Sequence, residues 1–253
     1  MKAGLSTLIP LLLTFTLSCN PRVSPLLSTQ NENVYVSKSN PNADSALLSF
    51  IKPYRDSLKL TMGRKVLVLP QKITHSRNNP QTLLGPWLCD ILLSEGQVLF
   101  QNYAIDGAVY NPGGIRLPQL QDTVTVRDIY ELLPFDNTLV LLEIPGHLLQ
   151  RWIEHTVKRG GWPMSHTFKV YISSETQAQV YLHEQPIEPE KTYRILTNDY
   201  VANGGDNCEF LVGKEVASGQ AYIRDIVINH FDKGNPPSIP QEIRIHFMTQ
   251  NKN

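Results

Sequence analysis

From about residue 45 onward the chain switches repeatedly between two hydrophobic periods, and the elements follow from them. In SALLSFIKPYRDSLKLTM, Leu47, Leu48, Ile51, Tyr54 and Leu58 fall at helical spacing despite Pro53, which predicts an opening helix. KVLVLP reads as a short β-branched strand, LLGPWLCDILL as an apolar helix and YAIDGAVYN as strand-like. Thr125, with Asp128 three residues on, predicts a capped start for the helix VRDIYELL. After the apolar run TLVLLEI, Pro145 opens PGHLLQRWIEHTVKRGG, where Leu148, Leu149, Trp152 and Ile153 share a stripe and Gly160 is the stop. FKVYIS, AQVYLHEQ, KTYRILTN and EIRIHFM alternate as strands do, and a last helix is expected from about Gln220 to His230. Helices and strands mix without strict βα alternation. The expected class is therefore a single mixed α/β (α+β) domain over 45–248, its mixed, partly antiparallel sheet flanked by helices.

The first 44 residues differ. MKAGLSTLIPLLLTFTLSCN has one lysine and then an apolar run from Leu5 to Leu17, too short to span a bilayer, and reads as a signal peptide over 1–18. Cys19 sits where cleavage should occur, so the stretch resembles a bacterial lipobox with Cys19 as the lipidated residue, although Thr16 stands where Leu is usual; ordinary secretion is the alternative. Residues 19–44, rich in Asn, Ser and Pro, are expected to form a flexible tether. The expected location is the cell envelope, anchored to the membrane by lipid alone. NPRVSP after Cys19 carries no acidic cluster, which favours the periplasmic face.

Charge narrows the partners. Lys plus Arg and Asp plus Glu both number 23, so no net field attracts a nucleic-acid polymer, and an anion must be met by individual arginines. The seven histidines form no HxH, HExxH or Cys/His zinc spacing, and no GxSxG elbow, Walker loop or GxGxxG turn occurs. Scattered histidines of this kind are ordinarily surface or satisfied core groups. Cys89 and Cys208, in an exported chain, either pair or sit as small buried apolar residues.

Three stretches remain that a hydrophobic core does not need. NPGGIR, residues 111–116, places Gly113 and Gly114 three and two residues before Arg116, and such a turn can bring main-chain N–H groups and a guanidinium onto one anion. LLPFDNT puts Phe135 at a helix end beside a polar turn, and TNDYVANGGD puts Tyr200 and Asp206 at either end of a bend over Asn203, Gly204 and Gly205. Taken singly, the more common reading of the first is a plain turn and of the second a core ring, while the third reads equally well as a glycine-rich hairpin.

In this order and at these separations, the three strongly resemble the C-terminal domain of the 5′-nucleotidase family, with GHLLQRWIEH and PQTLLGPWLCD as supporting segments. The resemblance implies a substrate-binding domain: Phe135 and Tyr200 as rings that sandwich a base, Asp206 as acceptor for ribose hydroxyls, Asn111 as base contact, Arg116 as anion contact, and Asn203, Gly204 and Gly205 shaping the bend. Gln81 and Gly85-Pro86 depart from the family pattern, which leaves Arg77, about one residue out of register, as the nearest second arginine. The family's catalytic metal pair belongs to a different, N-terminal domain, whose motifs this sequence lacks. Hence the expectations are a nucleotide or nucleoside ligand, no catalytic residue, metal or cofactor in this chain, and a separate exported metallophosphoesterase chain as partner in a split nucleotidase. The alternatives are a stand-alone nucleoside- or nucleotide-binding envelope lipoprotein and an interaction module with a disused pocket.

Overall fold

The computed structural model describes residues 44–174, 177–234 and 238–248. The expected signal peptide, Cys19 and nearly all of the tether lie outside the described residues. The chain divides into two units, 1–48 and 49–253, and the second carries the fold. In chain order the elements are α1 (Ser45–Met62), β1 (Lys65–Val68), β2 (Ile73–Thr74), α2 (Leu84–Leu99), β3 (Gly107–Ala108), β4 (Gln119–Leu120), β5 (Thr123–Thr125) and α3 (Val126–Leu132). There follow β6 (Thr138–Pro145), α4 (Gly146–Val157), β7 (Phe168–Ser174), β8 (Gln177–Leu182), β9 (Gln185–Pro186), β10 (Thr192–Asn198), α5 (Asp199–Ala202), β11 (Glu215–Tyr222), α6 (Ile223–Asp232) and β12 (Ile245–Phe247).

The central sheet has the order β11-β6-β10-β3, antiparallel except where β10 meets β3 in parallel. TLVLLEI is continuously apolar because this sheet is covered on both faces. Leu139 and Leu141 of β6, with Leu196 of β10, point into a core built with α2, α3 and α6, where Trp87 stacks on Phe231. Val140, Leu142 and Ile144, with Tyr193 and Ile195, point the other way into a core built with α4 and a second sheet, β12-β7-β8-β9. Two antiparallel pairs, β1-β5 and β2-β4, complete the strands. The class is the mixed α/β one expected, with the strands divided among four sheets.

Several boundaries differ from the sequence pattern. The last helix begins at Ile223, not Gln220, because Glu215–Tyr222 pair with β6 as a strand. The small residues Ser218 and Gly219, both weak strand formers, and an irregular register hid that strand. YAIDGAVYN yields only Gly107–Ala108, since beyond Val109 the backbone leaves β10 and Tyr110 N–H donates to Pro163 O (3.0 Å). The opening helix forms through Pro53, yet none of its residues is buried. Cys89 and Cys208 are buried and unpaired; burial pushes the Cys89 thiol well above its ordinary value and the Cys208 thiol up to about 12.

Candidate functional site

Three loops meet where the central sheet ends. The first follows β3. Asn111, 4% exposed, leads into a single 3-10 turn over Pro112–Gly114, and a β-carbon on Gly114 would lie 2.7 Å from the Tyr110 ring. His75 on its buried side contacts Pro112 O through Nε2 (3.2 Å), and Arg116 N–H donates to Leu132 O (2.9 Å), tying the turn to the end of α3.

The second loop follows α3, whose start carries the expected capping box. The Asp128 carboxylate accepts from Thr125 N–H (2.7 Å) and Thr125 Oγ1 accepts from Asp128 N–H (3.4 Å). Beyond Leu133 the chain exposes Phe135 at 47%. Arg224 of α6 holds this loop, donating to Phe135 O (3.0 Å) and pairing with Asp136 (2.5 Å). The Arg116 guanidinium lies 5.8 Å from the Phe135 ring centre, at the reach of a cation–π contact.

The third loop follows β10. Asn198 caps the short α5 by accepting from Val201 N–H (2.9 Å), then Gly204 turns the chain with φ 93°. Asp206 and Asn207 follow at φ 53° and 62°, left-handed values that Asp and Asn tolerate better than other non-glycine residues. Gly205 has no room for a side chain because the Tyr200 ring lies against it; a β-carbon would be 2.5 Å from Cε1 and Cζ.

A continuous polar network joins the loops. Asn198 Nδ2 donates to Asn111 Oδ1 (2.8 Å), Asn111 Nδ2 donates to Asp206 Oδ2 (2.8 Å), and Tyr200 Oη donates to Asp206 Oδ1 (3.3 Å) while accepting from Asp206 N–H (3.2 Å). Tyr110 closes it from below through Asn198 and Asn137, with burial as the main cause of a phenol pKa raised to about 12. From α4, His155 Nε2–H donates to Asp206 O (2.9 Å), while Arg159 donates to His155 Nδ1 (3.3 Å) and to Asn207 Oδ1 (3.0 Å). Burial holds the His155 pKa below its ordinary value, helped by Arg159 and Lys158 and opposed by the Asp206 carbonyl, so the ring that fits both contacts is the neutral one.

Around this network lies a cavity of about 310 Å³ lined by Asn111, Gly113, Gly114, Arg116, Phe135, Asn137, Tyr200 and Asp206. Seven of the residues singled out from the sequence meet there. The other four do not line it. Gly204 and Gly205 shape the bend behind it, Asn203 turns its amide back to Asp199 O (2.9 Å), and Arg77 lines an adjoining hollow of about 190 Å³ that shares Arg116. Asn111, expected as the base contact, spends one donor and one acceptor inside the protein and keeps one of each.

Sequence reasoning missed Asn137, Asn198, His155 and Arg159. Asn198 carries the N-cap signal of an Asn before a short helix, whereas His155 and Arg159 reach the loop only through the tertiary packing of α4. A larger hollow, about 760 Å³, lies elsewhere, beside Asp90 and Arg244. Those charges are used internally: Arg244 donates to Asp90, Pro86 O and Met164 O, and Asp90 also accepts from His166 N–H (2.7 Å). Among the described residues no group of three or more His, Cys, Asp and Glu side chains is placed to hold a metal ion.

Comparison with known proteins adds the decisive observation, a match over residues 64–213 to the family described as 5′-nucleotidase, C-terminal domain. The chain belongs to this family. The matched part of this 5′-nucleotidase C-terminal domain contains every residue that lines the 310 Å³ cavity. Among curated relatives, the 5′-nucleotidase of Diplobatis ommata is 28% identical over 200 residues, covering 66% of this chain and 34% of that protein. The 5′-nucleotidase of Vibrio vulnificus is 23% identical over 215 residues, covering 82% and 37%. The chain thus spans about a third of the length of these relatives. Among solved structures, the 5′-nucleotidase precursor of Thermus thermophilus aligns with a TM-score of 0.67 at 21% identity, covering 81% of this chain and 43% of that one. The NAD nucleotidase of Haemophilus influenzae aligns at 0.62 and 18%, covering 81% and 41%. At these identities the structural likeness speaks for the fold.

Proposed function

We propose that this domain recognises a nucleotide or nucleoside and forms the substrate-binding part of a split nucleotidase whose hydrolytic metal centre lies on a separate exported chain. The observation that carries the reading is the single cavity in which two exposed aromatic rings, a carboxylate and a guanidinium meet, contributed by three loops distant in sequence. Its volume of about 310 Å³ is at the lower end of small-molecule sites and suits a nucleoside, with phosphate extending toward Arg116 and the adjoining hollow that Arg77 lines.

The role of each group follows from its chemistry. Phe135 and Tyr200 offer π faces, each worth about 1–3 kcal/mol to a stacked base. Asp206, held by Asn111 on one oxygen and Tyr200 on the other, accepts sugar hydroxyls at about 1.5–3 kcal/mol for a charge-assisted bond. Against an association cost of several kcal/mol these sum to roughly micromolar to millimolar binding, which suits recognition. Hydrolysis of the phosphate ester is assigned to the partner, whose metal pair would supply an activated water and a positively charged contact for the phosphoryl group. In the same reading the signal peptide and lipidated Cys19 bring the domain to the periplasmic side of a membrane.

The test is reconstitution. AMP is incubated with an exported metallophosphoesterase from the same cell, with and without this protein, and phosphate release is followed. Release that rises when this chain is added supports the split enzyme; partner activity indifferent to it removes that part and leaves the stand-alone binding protein. Loss of adenosine and AMP binding altogether would remove both.

A further inference from the structure

We propose that the Tyr200 hydroxyl is itself a sugar-recognition group, forming with Asp206 a two-point clamp for a vicinal diol, so that the site selects ribonucleosides over deoxyribonucleosides. The inference rests on the nucleoside reading and adds to it a specificity-determining atom. A stacking ring needs no hydroxyl, yet this one is built into the site. The ring is fixed flat against Gly205, and Oη accepts from Asp206 N–H at 3.2 Å, which directs its own proton to Asp206 Oδ1. Residue and hydroxyl are thereby joined in one small ring of contacts on a loop whose Asp206 and Asn207 both adopt left-handed backbone.

Two features make the hydroxyl available to a ligand. The Oη–Oδ1 distance of 3.3 Å is long beside the usual 2.5–2.7 Å for a hydroxyl on a carboxylate, so the contact is slack and yields at small cost. Oη also keeps a second lone pair, and Oδ1 keeps one as well. A pair of acceptors at that separation, on two residues that line the 310 Å³ cavity, matches two neighbouring hydroxyls on one sugar ring. Oδ2 does not compete for this role, being the oxygen that receives the Asn111 amide at 2.8 Å.

Calorimetric titration of adenosine, 2′-deoxyadenosine and 2′,3′-dideoxyadenosine into the wild-type protein and Tyr200→Phe tests the clamp. Phenylalanine keeps the π face and the packing on Gly205, and a thermal unfolding curve run beside the titration confirms that the variant is folded. The wild type is expected to bind adenosine more tightly than either deoxy compound. In Tyr200→Phe adenosine should weaken by about three- to tenfold, the range for one neutral hydrogen bond, with dideoxyadenosine unchanged. An equal loss for both ligands would make the hydroxyl a structural strut, and no loss or a gain for adenosine would make it a bystander or a competitor; each overturns the clamp. Equal wild-type affinity for all three nucleosides also overturns it while leaving the nucleoside reading intact, whereas no binding of any of them removes both.

Discussion

At the scale of single residues, the site is a set of side chains whose alternatives have been removed by their neighbours. Asp206 has one oxygen engaged by Asn111 and the other by Tyr200, its main-chain carbonyl held by His155 and its own φ at 53°, so its carboxylate reaches the cavity already oriented. Asp206→Asn keeps a residue that tolerates this backbone and can still accept from Asn111. It removes the charge, and adenosine binding is expected to fall by about tenfold or more, from a loss of about 1.5–3 kcal/mol, with little change in the unfolding midpoint. The Cys208 thiol makes a contrasting case beside the same loop. Burial raises its pKa to about 12, and Cys89 is likewise buried with its pKa raised. Both are therefore expected to resist a maleimide reagent in the folded protein near neutral pH and to react fully in denaturant, with an unchanged mass under non-reducing conditions. Prompt labelling of the native chain would contradict that.

At the scale of elements, the loops are only as well placed as the helices behind them. The capping box at Thr125 starts α3, whose far end presents Leu132 O to Arg116 and leads directly to Phe135. Thr125→Ala should cost about 1 kcal/mol of stability, read as a lower denaturant midpoint with unchanged slope. Helix α4 holds the Asp206 loop through His155, whose pKa is depressed mainly by burial, and His75 beneath the Pro112 turn is depressed for the same leading reason. For a histidine whose folded pKa lies below the unfolded value near 6.5, the stabilising contribution is complete above about pH 6.5 and is lost as pH falls through the folded pKa. The urea midpoint is thus expected to decline from about pH 7 toward 5.5. His155→Gln, whose amide can donate to Asp206 O and accept from Arg159, should make that decline shallower; an identical slope would show that His155 does not contribute. Much of this layer was legible in advance. Thr125 and Asp128 at cap spacing, Pro145 before α4 and the alternation of KTYRILTN all reflect local chemistry. What could not be read is non-local: that Glu215–Tyr222 pair with β6 despite weak strand propensity, and that His155 late in α4 and Arg159 just past its end face a loop about fifty positions away.

At the scale of the molecule, a central sheet buried on both faces brings the ends of β3, β6 and β10 to one side, so segments near residues 111, 135 and 206 converge. The motifs NPGGIR, LPF and ANGGD were visible because they carry residues a core does not use. Their convergence came from topology, and so did the position of Arg77 in the adjoining hollow. With recognition proposed for this domain and bond cleavage for another chain, ligand affinity is the property on which the proposal stands. The direct test is titration calorimetry of adenosine and AMP into the wild-type protein and into Phe135→Ala, with circular dichroism to show that the variant is folded. Saturable one-to-one binding in the micromolar to millimolar range, weakened about 5- to 150-fold by loss of the ring, is the predicted result. Absence of wild-type binding at several-millimolar ligand, or an affinity that Phe135→Ala leaves unchanged, would contradict it.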